Sequence, residues 1–203
     1  MKTIIVGIGG MTNGGKSTLA VRMHQHIPNS CLISQDEYFK EDSVVPVDSN
    51  GFKQYDVLDA LHMDQMMDHI ETWRRDPLSF MTQKSLTPSE SLSVFVLIVE
   101  GFLIFNHRPL NALFDKKYFL EIPYDICKKR RSSRVYIPPD PPGYFDGHVW
   151  PMYLKNRKQM EAIVSDIVFV DGLREKDQLF DSVCNDVMEI IEELKDCITD
   201  QHQ

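Results

Sequence analysis

Ile4-Ile5-Val6-Gly7-Ile8-Gly9-Gly10-Met11-Thr12-Asn13-Gly14-Gly15-Lys16-Ser17-Thr18-Leu19 is the stretch on which the fold turns. Residues 4–8 form a short β-branched apolar run, the composition of a strand buried on both faces of a parallel sheet. From residue 17 to 27 the pattern changes: Leu19, Met23 and Ile27 recur at four-residue spacing, which predicts a helix stopped by Pro28-Asn29. Between strand and helix, residues 10–17 fit G-x-x-x-x-G-K-[ST]. Glycines in that pattern let the backbone curl until several N–H groups point at phosphate oxygens, and the helix N-terminus adds partial positive charge. Lys16 then supplies a point charge and the Ser17 hydroxyl a Mg²⁺ ligand. Gly10, Met11, Thr12, Asn13, Gly14, Gly15, Lys16, Ser17 and Thr18 are therefore the expected contacts of a nucleotide such as ATP. The alternative, a glycine-rich turn with an incidental lysine, does not account for the strand before and the helix after.

Outward from the loop, strands and helices alternate. Residues 31–34 read as a second strand, 94–99 as a fully apolar third ending in Glu100, 118–122 as a fourth and 167–170 as a short fifth. Helices are predicted over 58–75, 123–135 and 176–197, with a proline- and aromatic-rich loop over 138–151. Residues 40–57 lack periodicity and hold a turn at Asp48-Ser49-Asn50-Gly51, the signature of a long, functional surface loop. Residues 76–93 read as a polar, flexible segment. The alternation predicts one α/β domain over residues 1–203, a parallel sheet of about five strands with helices on both faces.

A net charge of −8 argues against a nucleic-acid or membrane-surface role, since those partners reward basic proteins. Cys31, Cys127, Cys184 and Cys197 are widely spaced, without a Cys-x-x-Cys pair, so neither a zinc site nor a disulfide framework is expected. The opening apolar run is broken by glycine and ends in the phosphate loop, unlike a secretory signal, and no stretch is long enough to span a bilayer. A cytoplasmic protein is the expectation.

The phosphate loop names a ligand, and the surrounding charges must name a reaction. Asp36 follows the second strand, whose carboxyl end gathers beside the loop on one edge of an open sheet. It is a candidate general base for an acceptor hydroxyl, and equally a turn cap. Glu100 is a candidate to hold Mg²⁺ through water or to orient the acceptor, and alternatively a solvated strand end. Lys128-Lys129-Arg130-Arg131-Ser132-Ser133-Arg134 puts five cations into seven residues of an acidic chain. On a helix Arg130 and Arg134 share a face, suited to clamping phosphates, while Arg131 points elsewhere. A solvated face or a localisation-like run is the rival reading. Tyr55, beside Asp56, and Tyr136 offer flat rings that would suit a planar cation, although isolated tyrosines are more often packing residues. The Pro138-Pro139-Asp140-Pro141-Pro142 run also admits reading as a ligand for a polyproline-binding partner.

Taken in order, residues 10–17, Ser34-Gln35-Asp36, Gln54-Tyr55-Asp56-Val57-Leu58, Glu100-Gly101-Phe102-Leu103, Arg130-Arg131-Ser132-Ser133-Arg134-Val135-Tyr136, Pro141-Pro142-Gly143-Tyr144-Phe145-Asp146-Gly147-His148-Val149-Trp150-Pro151-Met152-Tyr153 and Val170-Asp171-Gly172 closely resemble the nicotinamide riboside kinases. The resemblance implies a P-loop NTPase fold of the nucleoside-monophosphate-kinase kind, with a helical lid near residues 124–153. It implies transfer of the ATP γ-phosphoryl to the 5′-hydroxyl of nicotinamide riboside for NAD synthesis, with nicotinic acid riboside as a second substrate. Carried over by position, Asp36 is the proton acceptor and, with Ser17 and Glu100, a Mg²⁺ neighbour. Glu37, Tyr38 and Phe39 flank the acceptor, Tyr55 and Tyr136 sandwich the pyridinium ring, and Asp56 and Arg131 hold ribose hydroxyls. Arg130 and Arg134 clamp phosphates, and Arg174, Glu175 and Lys176 lie by the adenine.

The chain departs from the family pattern at Glu37-Tyr38, where Asp-Phe is expected. Its early Val6-Gly7-Ile8-Gly9-Gly10-Met11 is similar to a muscle-enriched form, whose link to integrin binding is kept as an alternative role. Phosphorylation of another nucleoside, such as uridine, is the enzymatic alternative. A guanine-nucleotide switch fits poorly: an Asn-Lys-x-Asp motif is absent, and the D-x-x-G matches at Asp48 and Asp140 do not follow apolar strands.

Overall fold

A computed structural model describes residues 2–89 and 94–199. Five parallel strands, β1 (Lys2–Gly10), β2 (Ser30–Ser34), β3 (Val94–Glu100), β4 (Lys116–Glu121) and β5 (Val168–Asp171), form one sheet in the order β2-β3-β1-β4-β5. The most apolar strands are central, as a sheet covered on both faces requires.

Alternation along β1 sorts the core into two layers. Ile4, Val6 and Ile8 face α1 (Lys16–His26) and α7 (Lys176–Thr199), packing with Leu19, Met23, Val183 and Val187. Ile5 faces the opposite layer, built from α2 (Met63–Arg75), α3 (Pro77–Gln83) and α6 (Trp150–Ile163) around Met66, Ile70, Trp73, Phe80 and Met160. Gly7 and Gly9 lie on that second face because the ring of Phe105 covers them. A Cβ on Gly9 would stand 2.5 Å from Phe105, and one on Gly7 2.6 Å. Where β4 begins, Asp115 continues the pairing with β1: its Oδ2 accepts from Ile5 N at 2.7 Å and its own N–H donates to the Ile5 carbonyl at 2.8 Å.

Several sequence expectations change. The helix expected over 58–75 starts at Met63, because Leu61 is extended and bridges antiparallel to Phe39. This bridge anchors the long loop: Lys40 N donates to the Ala60 carbonyl and His62 N to the Tyr38 carbonyl. Within residues 76–93, α3 is capped by Asp76, whose Oδ1 accepts from Ser79 N at 3.0 Å, and it buries Phe80 and Met81. Residues 90–93 of that segment lie outside the described residues. The helix expected over 123–135 is α5 (Tyr124–Ser132), preceded by a short α4 (Arg108–Asn111). Residues 150–163, part of which was expected to be loop, form α6, entered through a π-helical turn at Phe145–Val149. Among the described residues no helix is long and apolar enough to cross a membrane.

A small third cluster of Met11, Ile122, Cys127, Tyr144, Phe145 and Val149 joins the loop after β1 to α5 and the π turn. The fold thereby welds the phosphate loop to the segment carrying the basic residues. Because Phe105 packs directly on β1, Gly9→Ala should destabilise the protein by about 1–3 kcal/mol, the usual range for overpacking. Urea denaturation measures it, and an unchanged midpoint would contradict the packing described.

Candidate active site at the carboxyl edge of the sheet

Two strand ends and the first turn of α1 meet around one buried carboxylate. Glu100 is 3% exposed, and its Oε1 accepts from the Ser17 hydroxyl at 3.1 Å and the Ser34 hydroxyl at 2.5 Å. The solvated-terminus reading of Glu100 is thus corrected: it ties α1 and β2 to the end of β3. Beside it the phosphate loop leaves β1 at Gly10, where a φ of +137° and the 2.5 Å that a Cβ would leave to the Leu120 carbonyl oxygen exclude a side chain. Gly14 N donates to the Met11 carbonyl, closing the curl, and Gly15 in the left-handed region opens α1. Lys16 is 8% exposed and donates to the Met11 carbonyl at 3.0 Å. Burial lowers its pKa, against the opposing attraction of Glu100 and Asp36. A cationic group so desolvated and turned into its own loop is primed to accept an anion.

Two large cavities adjoin this loop among the described residues. One, about 510 Å³, is lined by Asn13, Gly14, Gly15 and Thr18 together with Arg130, Arg134, Arg174, Glu175 and Lys176. Arg130 reaches over the loop, NH1 donating to the Asn13 carbonyl at 3.2 Å, and the Cys127 thiol below it donates to the Thr12 carbonyl. Arg134 does not continue the helical face of Arg130, since α5 ends at Ser132, yet both arginines line this cavity.

The other cavity, about 700 Å³, opens at Thr12 and contains Asp36, Phe39, Tyr55, Asp56, Arg131, Tyr136, Asp140 and Tyr144. Asp36 sits exposed on a 3₁₀ turn (Gln35–Tyr38) whose N-cap position is held by Ser34, so Asp36 is not that turn's cap. The turn is fixed from beneath by fully buried Gln35, whose Oε1 accepts from Leu103 N at 2.8 Å. Arg131 forks onto Asp140, Nε at 2.6 Å and NH2 at 2.9 Å, with its guanidinium 4.4 Å from the centre of the Tyr136 ring. The Tyr136 hydroxyl meets the Asn13 side chain, so this one segment touches both cavities. Across the cleft Tyr55 donates to Asp42 and packs edge-on against Phe39, which stacks on Phe102. Burial, and then Asp42, push the Tyr55 phenol up to about 12.

Of residues 36–39, Asp36 and Phe39 line the cleft, whereas Glu37 is exposed and Tyr38 is 7% exposed within the core. The Tyr38 hydroxyl lies 2.7 Å from His69 Nδ1, so its expected place beside an acceptor is corrected. A 3₁₀ turn advances each side chain by about 120°, so neighbours on it diverge. Sequence reasoning did not single out Lys40, Asp42, Lys53, Phe102, Asp140 or Tyr144 individually, all of which line the cleft. Phe102 and Tyr144 lay within the quoted motifs. Among the described residues, no group of three or more His, Cys, Asp or Glu is arranged to hold a metal.

No protein-family model matches the chain. It is 51% identical over 192 residues to mouse nicotinamide riboside kinase 1, covering 95% of this chain and 97% of that protein. Human nicotinamide riboside kinase 1 is 49% identical over 93% of this chain and 94% of its own, and human nicotinamide riboside kinase 2 is 45% identical over 91% and 80%. Among solved structures, a sugar kinase from a Janibacter species superposes with a TM-score of 0.53 at 12% identity, covering 90% of this chain and 93% of that one. A protein described as a possible uridine kinase from Bacillus stearothermophilus gives 0.50 at 17% identity, over 84% and 90%. These two share the fold.

If Lys16 is the cation of the phosphate cradle, Lys16→Ala should weaken binding of a non-hydrolysable ATP analogue by about 1.5–3 kcal/mol, the usual worth of a charged hydrogen bond. Isothermal titration calorimetry reads it. Unchanged affinity would place the triphosphate elsewhere.

Proposed function

This chain belongs to the nicotinamide riboside kinase family, and we propose that its two adjoining cavities hold ATP and the riboside on opposite sides of the phosphate loop. The reaction is ATP-dependent phosphorylation of nicotinamide riboside to the mononucleotide, a step of NAD biosynthesis. The observation that carries the residue assignment is the segment from Arg130 to Tyr136, which lines both cavities and contacts Asn13 twice.

In the acceptor cleft the pyridinium ring lies between Tyr55 and Tyr136, whose π-faces attract a planar cation. The lining charges favour the same ligand. Asp36, Asp42, Asp56 and Asp140 stand against Lys40, Lys53 and Arg131, an excess of one negative charge. Asp56 and Arg131 take the ribose hydroxyls, Arg131 being already held by Asp140. Asp36 receives the proton of the 5′-hydroxyl as that oxygen attacks the γ-phosphorus, the bond to the bridging oxygen breaks, and ADP leaves. Lys16, the loop N–H groups, Arg130 and Arg134 carry the charge spread over the transferring group. Arg174, Glu175 and Lys176 border the adenine. Mg²⁺ fits beside the exposed Ser17 hydroxyl, which donates to buried Glu100, and near Asp36, where it would neutralise phosphate charge; such an ion keeps waters and phosphate oxygens as ligands and needs no cage of protein side chains. Nicotinic acid riboside is the second acceptor, its extra carboxylate met by Lys40 and Lys53 at the cleft wall.

Purified protein with Mg²⁺-ATP should convert nicotinamide riboside to the mononucleotide, read by chromatography of the product; absence of product at saturating substrate would overturn the reading. Asp36→Ala should lower kcat by about 10²-fold or more while ATP binding persists, the usual range for losing a general base. Near-normal turnover would remove that role. Replacing Tyr55 or Tyr136 by Ala should each weaken riboside binding by about 1–2 kcal/mol if the rings face a desolvated cation. Calorimetric titration of the riboside measures this, and unchanged affinity would reject the sandwich.

A further inference from the structure

His148 has no part in the mechanism above, yet it is buried beside a residue that does. It is 3% exposed, and its Nε2 is fully enclosed 3.1 Å from Asp56 Oδ2 without the alignment of a hydrogen bond. Its ring stacks on Tyr144, centroids 5.1 Å apart and planes 17° from parallel. Tyr144 is itself fixed, donating its hydroxyl to the Lys53 carbonyl at 2.7 Å. On the other side of Asp56, the Asn156 side chain donates to the Asp56 carbonyl at 2.9 Å. The backbone and the carboxylate of Asp56 are thus gripped from α6 and from the turn that opens it.

The placement of His148 follows from local sequence. Pro151 has no N–H to offer the Gly147 carbonyl, and the chain widens into a π turn just before it, with Trp150 N donating to the Phe145 carbonyl. Such turns insert an extra residue into a helix and re-aim side chains, often at functional sites. Gly147 lets the turn seat against Phe52, which a Cβ would approach to 2.6 Å.

We infer that His148 is a positioning residue for Asp56: its Nε2–H holds the cleft carboxylate in the orientation that receives the ribose hydroxyls. This rests on the assignment of Asp56 to the ribose. The 3.1 Å separation lies within hydrogen-bond range, so a small turn of the carboxylate aligns the bond, and catalytic hydrogen bonds commonly tighten in the complex. Buried groups that orient a ligand-binding side chain are worth about tenfold or more in affinity where they have been removed at metal sites.

The test uses the full chain and steady-state kinetics. His148→Phe keeps a stacking ring and removes the donor; it should raise KM for nicotinamide riboside about tenfold, leave KM for ATP unchanged and change kcat little. His148→Gln, whose Nε2 amide reaches a similar position, should restore most of the riboside KM. In an Asp56→Ala background the Phe substitution should add nothing. Should the Phe variant fold poorly by circular dichroism, His148→Asn against His148→Gln gives the same contrast, the shorter amide falling short of Asp56. The inference is overturned if riboside KM is unchanged in the folded donor-less variant, if the KM for ATP rises equally, or if Phe and Asp56→Ala effects multiply independently. An inactive wild-type protein would instead overturn the kinase reading, and a normal riboside KM in Asp56→Ala would overturn the ribose assignment.

Discussion

The buried Glu100 carboxylate is the constraint on which the site depends. An acid at 3% exposure at the end of a central strand is costly unless its oxygens are bonded, and here two serine hydroxyls bond to one of them, one from the first turn of α1 and one from the end of β2. The phosphate loop therefore cannot shift relative to the turn that carries Asp36 without stranding a buried charge. Lys16, desolvated and folded back onto the Met11 carbonyl, lies within the same electrostatic neighbourhood. Both cavities are tied to one hydrogen-bonded cluster, while the segment that spans them, from Arg130 to Tyr136, comes from α5 and the loop after it.

That division of labour explains the composition of the two cavities. The one beside α1 is walled by arginines, a lysine and loop backbone, suited to a polyanion. The larger cleft has rings and carboxylates, and two ion pairs in it, Arg131 with Asp140 and Lys53 with Asp42, fix side chains that line it. The more exposed of the two, Lys53 with Asp42, adds little to folding stability. Their contribution is geometric: Arg131 is held flat against Tyr136, and Asp42 holds the Tyr55 hydroxyl.

Much of this was legible in the sequence wherever a residue's environment is fixed by strand alternation or by the G-x-x-x-x-G-K-[ST] spacing. Glu100 at a strand end and Lys16 in the phosphate loop fall in that class, while Asp36 and the arginines near residue 130 stand out by their place after β2 and by a local cluster of charge. Side chains on non-repetitive turns do not. Tyr38 follows Asp36 by two residues, but the 3₁₀ turn sends it into the core. Leu61 fits a helical period and is nevertheless extended, because the pairing with Phe39 outweighs local preference. Helix α6 leaves little signature in the sequence because Met160 is its one buried residue, so it presents no apolar stripe, and a proline stands near its start. His148 stayed hidden for a related reason: only the π turn aims it at Asp56.

A crystal structure with nicotinamide riboside and Mg²⁺-ADP bound together tests the account most directly. The account predicts the pyridinium between Tyr55 and Tyr136, the ribose against Asp56 and Arg131, the 5′-oxygen within hydrogen-bonding reach of Asp36, and the ADP phosphates on the backbone of residues 13–17. A riboside bound outside the cleft, or a 5′-oxygen turned away from both Asp36 and the phosphate loop, would contradict it.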